Sequence, residues 1–300
     1  MPYSGIQYRG RFAPSPTGPL HLGSLIAALA SYLDARHCNG SWLVRMEDLD
    51  PPREDPGAAD RILHSLQCHG LHWDEKVVFQ STQSLAYTSA LTNLADSGVL
   101  FYCHCSRAVL GPDGVCLGQC LTHQTGTTGP TALRLKVPRE QKTLFTDRLQ
   151  GPKQTLLGRS LKDFVVQRKD KLYAYQLAVV VDDAEQGITH IVRGSDLLDS
   201  TPRQIFLQQC LNLPTPLYCH LPVITTRQGQ KYSKQNHAPA LDNNMAHNNL
   251  LIALRFLNQN TPPSELTSIE QLLGYAVEHW SLGQVPAMLS IPAASIGLST

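Results

Sequence analysis

The stretch Arg11-Phe12-Ala13-Pro14-Ser15-Pro16-Thr17-Gly18-Pro19-Leu20-His21-Leu22-Gly23-Ser24 decides how the rest of the chain is read. A short extended run, residues 6–12, leads into it, and an apolar segment, residues 20–33, continues from it. In that segment Leu22, Leu25, Ile26, Leu29 and Leu33 recur with helical spacing, which predicts a helix over 21–36. Between strand and helix lies a turn crowded with Pro14, Pro16, Gly18 and Pro19. Strand, stiff turn and helix in that order aim backbone N–H groups and a helix N-terminus at one place, a natural seat for phosphate. His21 and Gly23 fall in the first helical turn. There the imidazole can donate to a phosphate oxygen, and the glycine lets a flat ring or a phosphate approach the backbone. A lone His-x-Gly is a weak signal, but this frame makes it a candidate nucleotide site.

Ser41-Trp42-Leu43-Val44-Arg45-Met46 reads as a second strand, with the helix as its crossover. The resulting βαβ unit predicts an α/β fold with a parallel sheet. Ligands gather at the carboxyl ends of such strands, which is where Glu47 falls. Two amphipathic helices are expected over 58–70 and 83–97 as scaffold. Further on, 177–181 is a β-branched apolar run that periodicity leaves open between a buried strand and a short buried helix. Residues 188–193 read as a strand. Thr201 with Pro202 at the first helical position starts a helix. Two more helices are expected over 248–258 and 268–278.

Three hundred residues with a net charge of +1 exclude a generally basic nucleic-acid wrapper, though not a local basic face. No apolar run approaches the roughly 18 residues a membrane helix needs. The start, Met1-Pro2-Tyr3-Ser4-Gly5, has neither a charged nor an apolar leader region, so a cytoplasmic enzyme without membrane contact is expected. From 134 to 171 there are eleven Lys and Arg against four Asp and Glu, a local surplus of seven positive charges. A charge run is usually a solvated face; its position in the chain favours a phosphate-contacting surface.

Of eight cysteines, four fall at 103, 105, 116 and 120. Thiolates hold Zn²⁺ in a tetrahedron, and Cys103-x-Cys105 followed by Cys116-x₃-Cys120 across a Gly/Pro turn can close on one ion. His104 and His123 stand nearby as further ligand candidates. The other four cysteines are scattered and are read as plain small residues in a reducing compartment.

Several of these stretches resemble class I aminoacyl-tRNA synthetases of the glutamyl and glutaminyl branch. The nucleotide motif of that family is His-x-Gly-His; here His21-Leu22-Gly23-Ser24 lacks the second His. Arg45-Met46-Glu47-Asp48-Leu49-Asp50, Gly70-Leu71-His72-Trp73-Asp74 and Tyr175-Gln176-Leu177-Ala178-Val179-Val180-Val181-Asp182-Asp183 resemble its stretches in the same order, as does Val192-Arg193-Gly194-Ser195-Asp196-Leu197-Leu198. Lys231-Tyr232-Ser233-Lys234-Gln235 departs from Lys-Met-Ser-Lys-Ser at two positions and keeps Lys234. The resemblance runs from about residue 8 to 236. It implies a Rossmann-type parallel sheet with a zinc-bearing insertion and a short helical C-terminal region. The divisions expected are 1–102 and 171–236 for the two halves of the catalytic domain, 103–170 for the insertion that touches tRNA, and 237–300 for the helical end, with no room for an anticodon-binding domain.

What the resemblance implies for activity is ATP-dependent activation of L-glutamate with Mg²⁺. Glutamate would be bound by Arg11, Phe12, Ala13, Pro14, Ser15, Glu47, Tyr175 and Arg193, with Glu47 on the amino group. ATP would be bound by His21, Gly23, Lys231, Ser233 and Lys234, with His21 and Lys234 serving the phosphate chemistry. One structural Zn²⁺ would be held by Cys103, Cys105, Cys116 and Cys120, since Cys116 stands where the short relatives carry a Tyr ligand. The short members of the branch imply tRNA(Asp) bearing queuosine as the acceptor, glutamate activation without tRNA, and a monomer. Two other readings stay open: a truncated ordinary glutamyl-tRNA synthetase that charges the tRNA 3′ end, and a non-catalytic zinc-containing RNA-binding relative.

Overall fold

The computed structural model describes residues 7–296 apart from 112–113, 117–119, 121–128, 139, 141, 159–161, 227–229 and 231–238. Strand β1 (Arg9–Phe12) pairs in parallel with β2 (Ser41–Met46), Arg9 opposite Ser41 and Phe12 opposite Val44, and β2 pairs in parallel with β3 (Val78–Phe79). The crossover from β1 to β2 is helix α1 (Leu22–His37). Further along, β9 (His190–Gly194) and β10 (Leu217–Leu221) form a second parallel pair. β9 lies against the free edge of β1, where the Thr189 amide donates to the Arg9 carbonyl at 3.0 Å. The strands therefore run β3-β2-β1-β9-β10, a Rossmann-type parallel arrangement, and the chain reverses its winding beside β1.

Helix α1 is apolar on nearly every side: Leu22, Leu25, Ile26, Ala28, Leu29, Ala30, Leu33 and Ala35 are all buried. A helix of that kind needs cover on both faces. One face lies on the sheet, and the other is covered by α7 (Ala246–Phe256) and α8 (Ile269–Glu278). Leu250, Leu254, Leu257, Leu272 and Trp280 share one core with Leu25, Leu29 and Leu33. The C-terminal helices thus pack onto α1, on the side turned away from the sheet. The same region also supplies a strand not foreseen from the sequence, β12 (Ser290–Pro292), parallel to β11 (Val223–Thr225). The start of α8 shows why its boundary was readable: Ser268 and Gln271 form a reciprocal capping box.

Helices α2 (Ala58–Cys68) and α3 (Ser84–Asp96) fall where amphipathic spacing placed them, each a residue or two shorter at its ends. The run left open between strand and helix is α5 (Tyr175–Glu185). Its Leu177, Ala178, Val180 and Val181 pack between α3, α6 (Thr201–Cys210) and the insertion, so it has apolar neighbours on several sides and no clean polar stripe. The insertion contributes short helix α4 (Arg107–Leu110) and an antiparallel sheet of β4 (Leu100–Cys103), β5 (Ala132–Leu135) and β8 (Phe164–Gln167). It also carries a separate hairpin, β6 (Lys142–Asp147) with β7 (Gly151–Leu156). The hairpin tip reaches back to the parallel sheet. The Arg148 amide donates to the Tyr218 carbonyl at 2.8 Å, and the Gln150 side chain donates to the His220 carbonyl at 2.9 Å. Among the described residues, no helix is long and apolar enough to cross a membrane.

One buried carboxylate ties three distant segments together. Asp34 on α1 accepts from the Tyr8 hydroxyl at 2.5 Å, from both Arg148 terminal nitrogens at 2.5 and 3.2 Å, and from the Trp280 indole at 3.1 Å. Burial alone would raise its pKa; the hydrogen bonds and charge of Arg148 outweigh that and hold it below the usual carboxylate range. Replacing Asp34 by Ala leaves these donors unpaired, and should cost about 3 kcal/mol in a denaturant titration at neutral pH. A depressed pKa contributes stability above the ordinary carboxylate pKa and loses it as the pH falls through the depressed value. The gap between wild type and Asp34→Ala should therefore close in acid.

Candidate functional site

A cleft with a volume of about 470 Å³ opens beside β1, where the two parallel pairs meet. Its lining includes Arg11, Phe12, Ala13, Pro14, Ser15, His21, Gly23, Glu47, Tyr175 and Arg193. These ten come from four separate stretches, and they are the described residues that the sequence had marked for glutamate and ATP. Lys231, Ser233 and Lys234 lie outside the described residues.

The proline-rich turn is fixed by its neighbours. The Glu47 amide donates to the Pro14 carbonyl and the Asp55 amide to the Pro16 carbonyl, both at 2.9 Å. That holds the turn over the carboxyl end of β2 and delivers Glu47 to the cleft. Gly18 sits at φ 135°, in the region that favours glycine, as the chain turns toward α1. His21 itself is the N-cap of α1: it is extended, and its Nδ1 accepts from the Ser24 amide at 3.3 Å. In the neutral ring this puts the proton on Nε2. Ser24, where the family motif has its second His, also lines the cleft and completes this cap.

Behind the cleft lies a charged cluster the sequence reading had not assembled. Arg45, 0 % exposed, donates from Nη1 to Asp183 at 2.8 Å and from Nη2 to Glu47 at 3.3 Å, and its Nε lies 3.7 Å from Asp182. Arg11 grips the same Asp183 with Nε and Nη2 at 3.0 and 3.3 Å. Asp182 also accepts from Gln80 at 2.7 Å and from the Tyr87 hydroxyl at 2.9 Å. Asp183 is held below the usual carboxylate range, because the two guanidinium groups more than offset its burial. Glu47 goes the other way: burial raises it, and Arg45 and Arg11 only partly counter that. Asp182 is raised by burial in the same way, but it lies behind the cleft, so Glu47 is the acid lining the cleft that is short of positive charge. The Arg11 fork, which the resemblance marked for glutamate, is already half committed to Asp183. Arg45, Asp182 and Asp183 stood inside quoted motifs, but no pattern in the chain says which charges will be buried together.

Arg193, on β9 and 5 % exposed, has a different environment. Its Nε donates to His220 at 3.0 Å, and its Nη2 donates to Thr201 and Gln204, both at 2.8 Å. Its Nη1 is buried with no hydrogen-bond partner. A β-carbon on Gly194 beside it would meet Asp196 Oδ1 at 2.4 Å and Val223 Cγ1 at 3.1 Å, so a side chain there would displace Asp196.

A second site lies in the insertion. The four Sγ atoms of Cys103, Cys105, Cys116 and Cys120 lie within 4.8 Å of one another, with Cys105 3.8 Å from Cys116 and 3.5 Å from Cys120. A tetrahedron of thiolates at the usual Zn–S distance has edges of roughly 3.8 Å, so the donor set fits a metal such as zinc. The His104 amide donates to Cys120 Sγ at 3.4 Å, the contact that orients a thiolate ligand. Burial and then the neighbouring thiols push the Cys105 thiol up to about 12; a bound cation is what would let such a set of thiols ionise. The His104 ring is not part of the cluster, and His123 lies outside the described residues. The basic stretch around the cluster is partly inward-facing. Arg134 is buried on the Gly114 and Asp163 carbonyls, Arg148 is on Asp34, and Lys169 donates to the His104 carbonyl.

The sequence matches the family described as tRNA synthetases class I (E and Q), catalytic domain, over residues 7–111 and 117–255. A protein of Neisseria meningitidis serogroup C / serotype 2a named glutamyl-Q tRNA(Asp) synthetase is 52 % identical over 289 residues, covering 93 % of this chain and 97 % of that one. A protein of the same name from Pseudomonas fluorescens is 50 % identical over 294 residues, covering 96 % and 97 %. The glutamate-tRNA synthetase of Elizabethkingia anophelis superposes with a TM-score of 0.78 at 21 % identity, over 96 % of this chain and 68 % of that one, a likeness of fold.

The cysteine cluster makes a direct prediction. The wild-type chain should carry one metal ion per molecule by metal analysis, and the double variant Cys103→Ser, Cys120→Ser should carry essentially none. Stoichiometric metal in the double variant would refute the site.

Proposed function

The chain belongs to the class I tRNA synthetases of the E and Q type, and from that membership we propose that it activates L-glutamate with ATP and transfers it to queuosine in the anticodon of tRNA(Asp). The observation that carries the proposal is the composition of one cleft. It holds an unpartnered Arg193 Nη1 for a side-chain carboxylate, for an ammonium group a buried Glu47 that its arginines only partly stabilise as an anion, and His21 at a helix N-terminus for phosphate. Those three requirements together describe glutamate lying next to ATP. The curated relatives that match nearly the full chain carry the corresponding name.

In this reading the glutamate α-carboxylate attacks the α-phosphorus of ATP in line and pyrophosphate leaves. Little covalent chemistry falls to the protein, so positioning and charge stabilisation do most of the catalysis. Glu47 holds the substrate ammonium, and Arg11, with Ser15 and the Phe12–Pro14 backbone, closes the amino-acid side of the pocket beside Tyr175. His21 and the backbone near Gly23 take the phosphates, and Lys231, Ser233 and Lys234 serve the leaving group, with Mg²⁺ supplying charge neutralisation when bound. The adenylate carbonyl is then attacked by the acceptor hydroxyl and AMP departs. Cys103, Cys105, Cys116 and Cys120 hold one structural Zn²⁺ that fixes the end of β4. Residues 103–170 serve as the insertion that meets tRNA, through the basic side chains not tied inward. The protein works in the cytoplasm as a monomer.

Three outcomes are expected. Pyrophosphate exchange should proceed with glutamate, ATP and Mg²⁺ in the absence of tRNA; no exchange under any condition would favour a non-catalytic RNA-binding relative. Radiolabelled glutamate should enter tRNA only when the tRNA carries queuosine, and nucleotide mapping should place the label in the anticodon. Label at the 3′ end would identify an ordinary glutamyl-tRNA synthetase instead. Arg193→Ala should raise KM for glutamate by about two orders of magnitude with KM for ATP little changed, whereas Lys234→Ala should lower kcat by about two to three orders.

A further inference from the structure

Asp147 and His220 take no part in the chemistry described above, and both are wholly buried, at 1 % and 0 % exposed. They lie 73 residues apart in sequence, Asp147 at the tip of the β6–β7 hairpin and His220 on β10. Their side chains meet at 2.6 Å between Asp147 Oδ2 and His220 Nδ1. The other ring nitrogen, Nε2, faces Arg193 Nε at 3.0 Å.

Arginine has donors and no acceptor, so this second contact is a hydrogen bond only if Nε2 carries a lone pair. The ring proton must therefore sit on Nδ1, where the Asp147 carboxylate accepts it. Asp147 is itself immobile: its Oδ1 accepts the amides of Leu149 at 3.0 Å, Gln150 at 2.8 Å and His220 at 3.2 Å. Burial holds the imidazole pKa below its ordinary value, in keeping with a neutral ring. Thr201 closes the arrangement: its hydroxyl lies 3.1 Å from Nε2 and accepts from Arg193 Nη2 at 2.8 Å, where Gln204 also accepts. A guanidinium is a rigid plane. Pinning Nε and Nη2 leaves Nη1 one direction, and Nη1 is the nitrogen without a partner.

We infer that Asp147 and His220 are positioning residues for substrate recognition, the hairpin carboxylate setting the imidazole tautomer that aims Arg193 Nη1 at the side-chain carboxylate of the amino acid. This rests on the proposed glutamate activation. It means that the insertion, beyond any contact with tRNA, supplies a supporting residue to the amino-acid pocket.

The test uses two replacements of His220 in the full chain, followed by glutamate-dependent pyrophosphate exchange. An asparagine amide reaches the position of Nδ1, so His220→Asn keeps the tie to Asp147 and loses the acceptor for Arg193. A glutamine amide reaches the position of Nε2, so His220→Gln keeps the acceptor and loses the tie. The expected result is a rise of about tenfold or more in KM for glutamate in His220→Asn, with KM for ATP within about twofold, and a rise of under about threefold in His220→Gln. A purely structural role would make both constants follow the melting temperatures of the two variants; that pattern, or an unchanged KM for glutamate in His220→Asn, overturns the inference. Should His220→Asn fail to fold, Asp147→Asn gives the same reading through a selective loss of glutamate affinity, and an unselective loss or none again overturns it. Wild-type protein that shows no glutamate-dependent exchange would refute the function itself, a result separable from either of these.

Discussion

The structure depends on a buried arginine. Arg45 sits at the end of β2 with no solvent exposure, between Asp182, Asp183 and Glu47, while Arg11 from β1 shares Asp183 with it. Charges removed from water in this way cost several kcal/mol each unless partners surround them closely. Here the partners come from both sides of the insertion: the arginines from the first half of the sheet, the aspartates from α5 in the second. Neither half can bury its own charges alone. The ion cluster therefore specifies how the halves meet, a role for which apolar packing, tolerant of small slips, is less suited. It also explains why α5 carries two adjacent buried acids, Asp182 and Asp183, directly after its apolar run.

The insertion is held to the same frame by a second set of polar contacts. The hairpin tip places Asp147 on His220, Arg148 on Asp34 and Gln150 on the His220 carbonyl within four consecutive residues. Phe145 packs edge-on to Tyr218 nearby, with ring centroids 6.2 Å apart. These contacts cover the outer side of β10, which would otherwise present an open sheet edge. The free ends of the insertion are treated differently. The cysteine cluster lies at the end of β4, far in sequence from the tip, and a metal there would stiffen backbone that has little apolar core of its own beyond Phe101. The insertion is anchored at one end by polar contacts with the sheet and built at the other around a metal-ligand set.

Much of this was legible in the residues because it depends on local order. Strand, proline turn and helix at 9–37 follow from spacing alone, and the cysteine grouping needed only counting. The resemblance located Glu47, Tyr175 and Arg193 without saying what would surround them. What stayed hidden was pairing at a distance. The 177–181 run could not be assigned because a short helix covered on several sides shows no stripe. The C-terminal helices were placed but not docked, because nothing in α1 announces that its second face needs cover, except that it is apolar all round. His220 carried no reading of its own; its meaning lies in Asp147, on a hairpin that only folding brings near. Arg11 was marked for glutamate, yet Asp183 takes two of its nitrogens.

The cleft is electrostatically incomplete at two points. Arg193 Nη1 is a buried donor with nothing to donate to, and an unmet donor of this kind costs about 1–3 kcal/mol. Glu47 is a buried carboxylate that its two arginines do not fully stabilise as an anion. A fold keeps such defects only where the surrounding structure holds them in place, as the Asp147–His220 contact and the Arg45 cluster do here. For the substrate proposed, both defects are repaired in one binding step. The ammonium group supplies the positive charge that Glu47 lacks, and the side-chain carboxylate supplies the acceptor that Nη1 lacks. Glutamine would bring the ammonium but only a neutral amide to Arg193, so it repairs one defect well and the other poorly. Selectivity of this kind needs no steric exclusion. It follows from leaving a fixed guanidinium short of one charged partner.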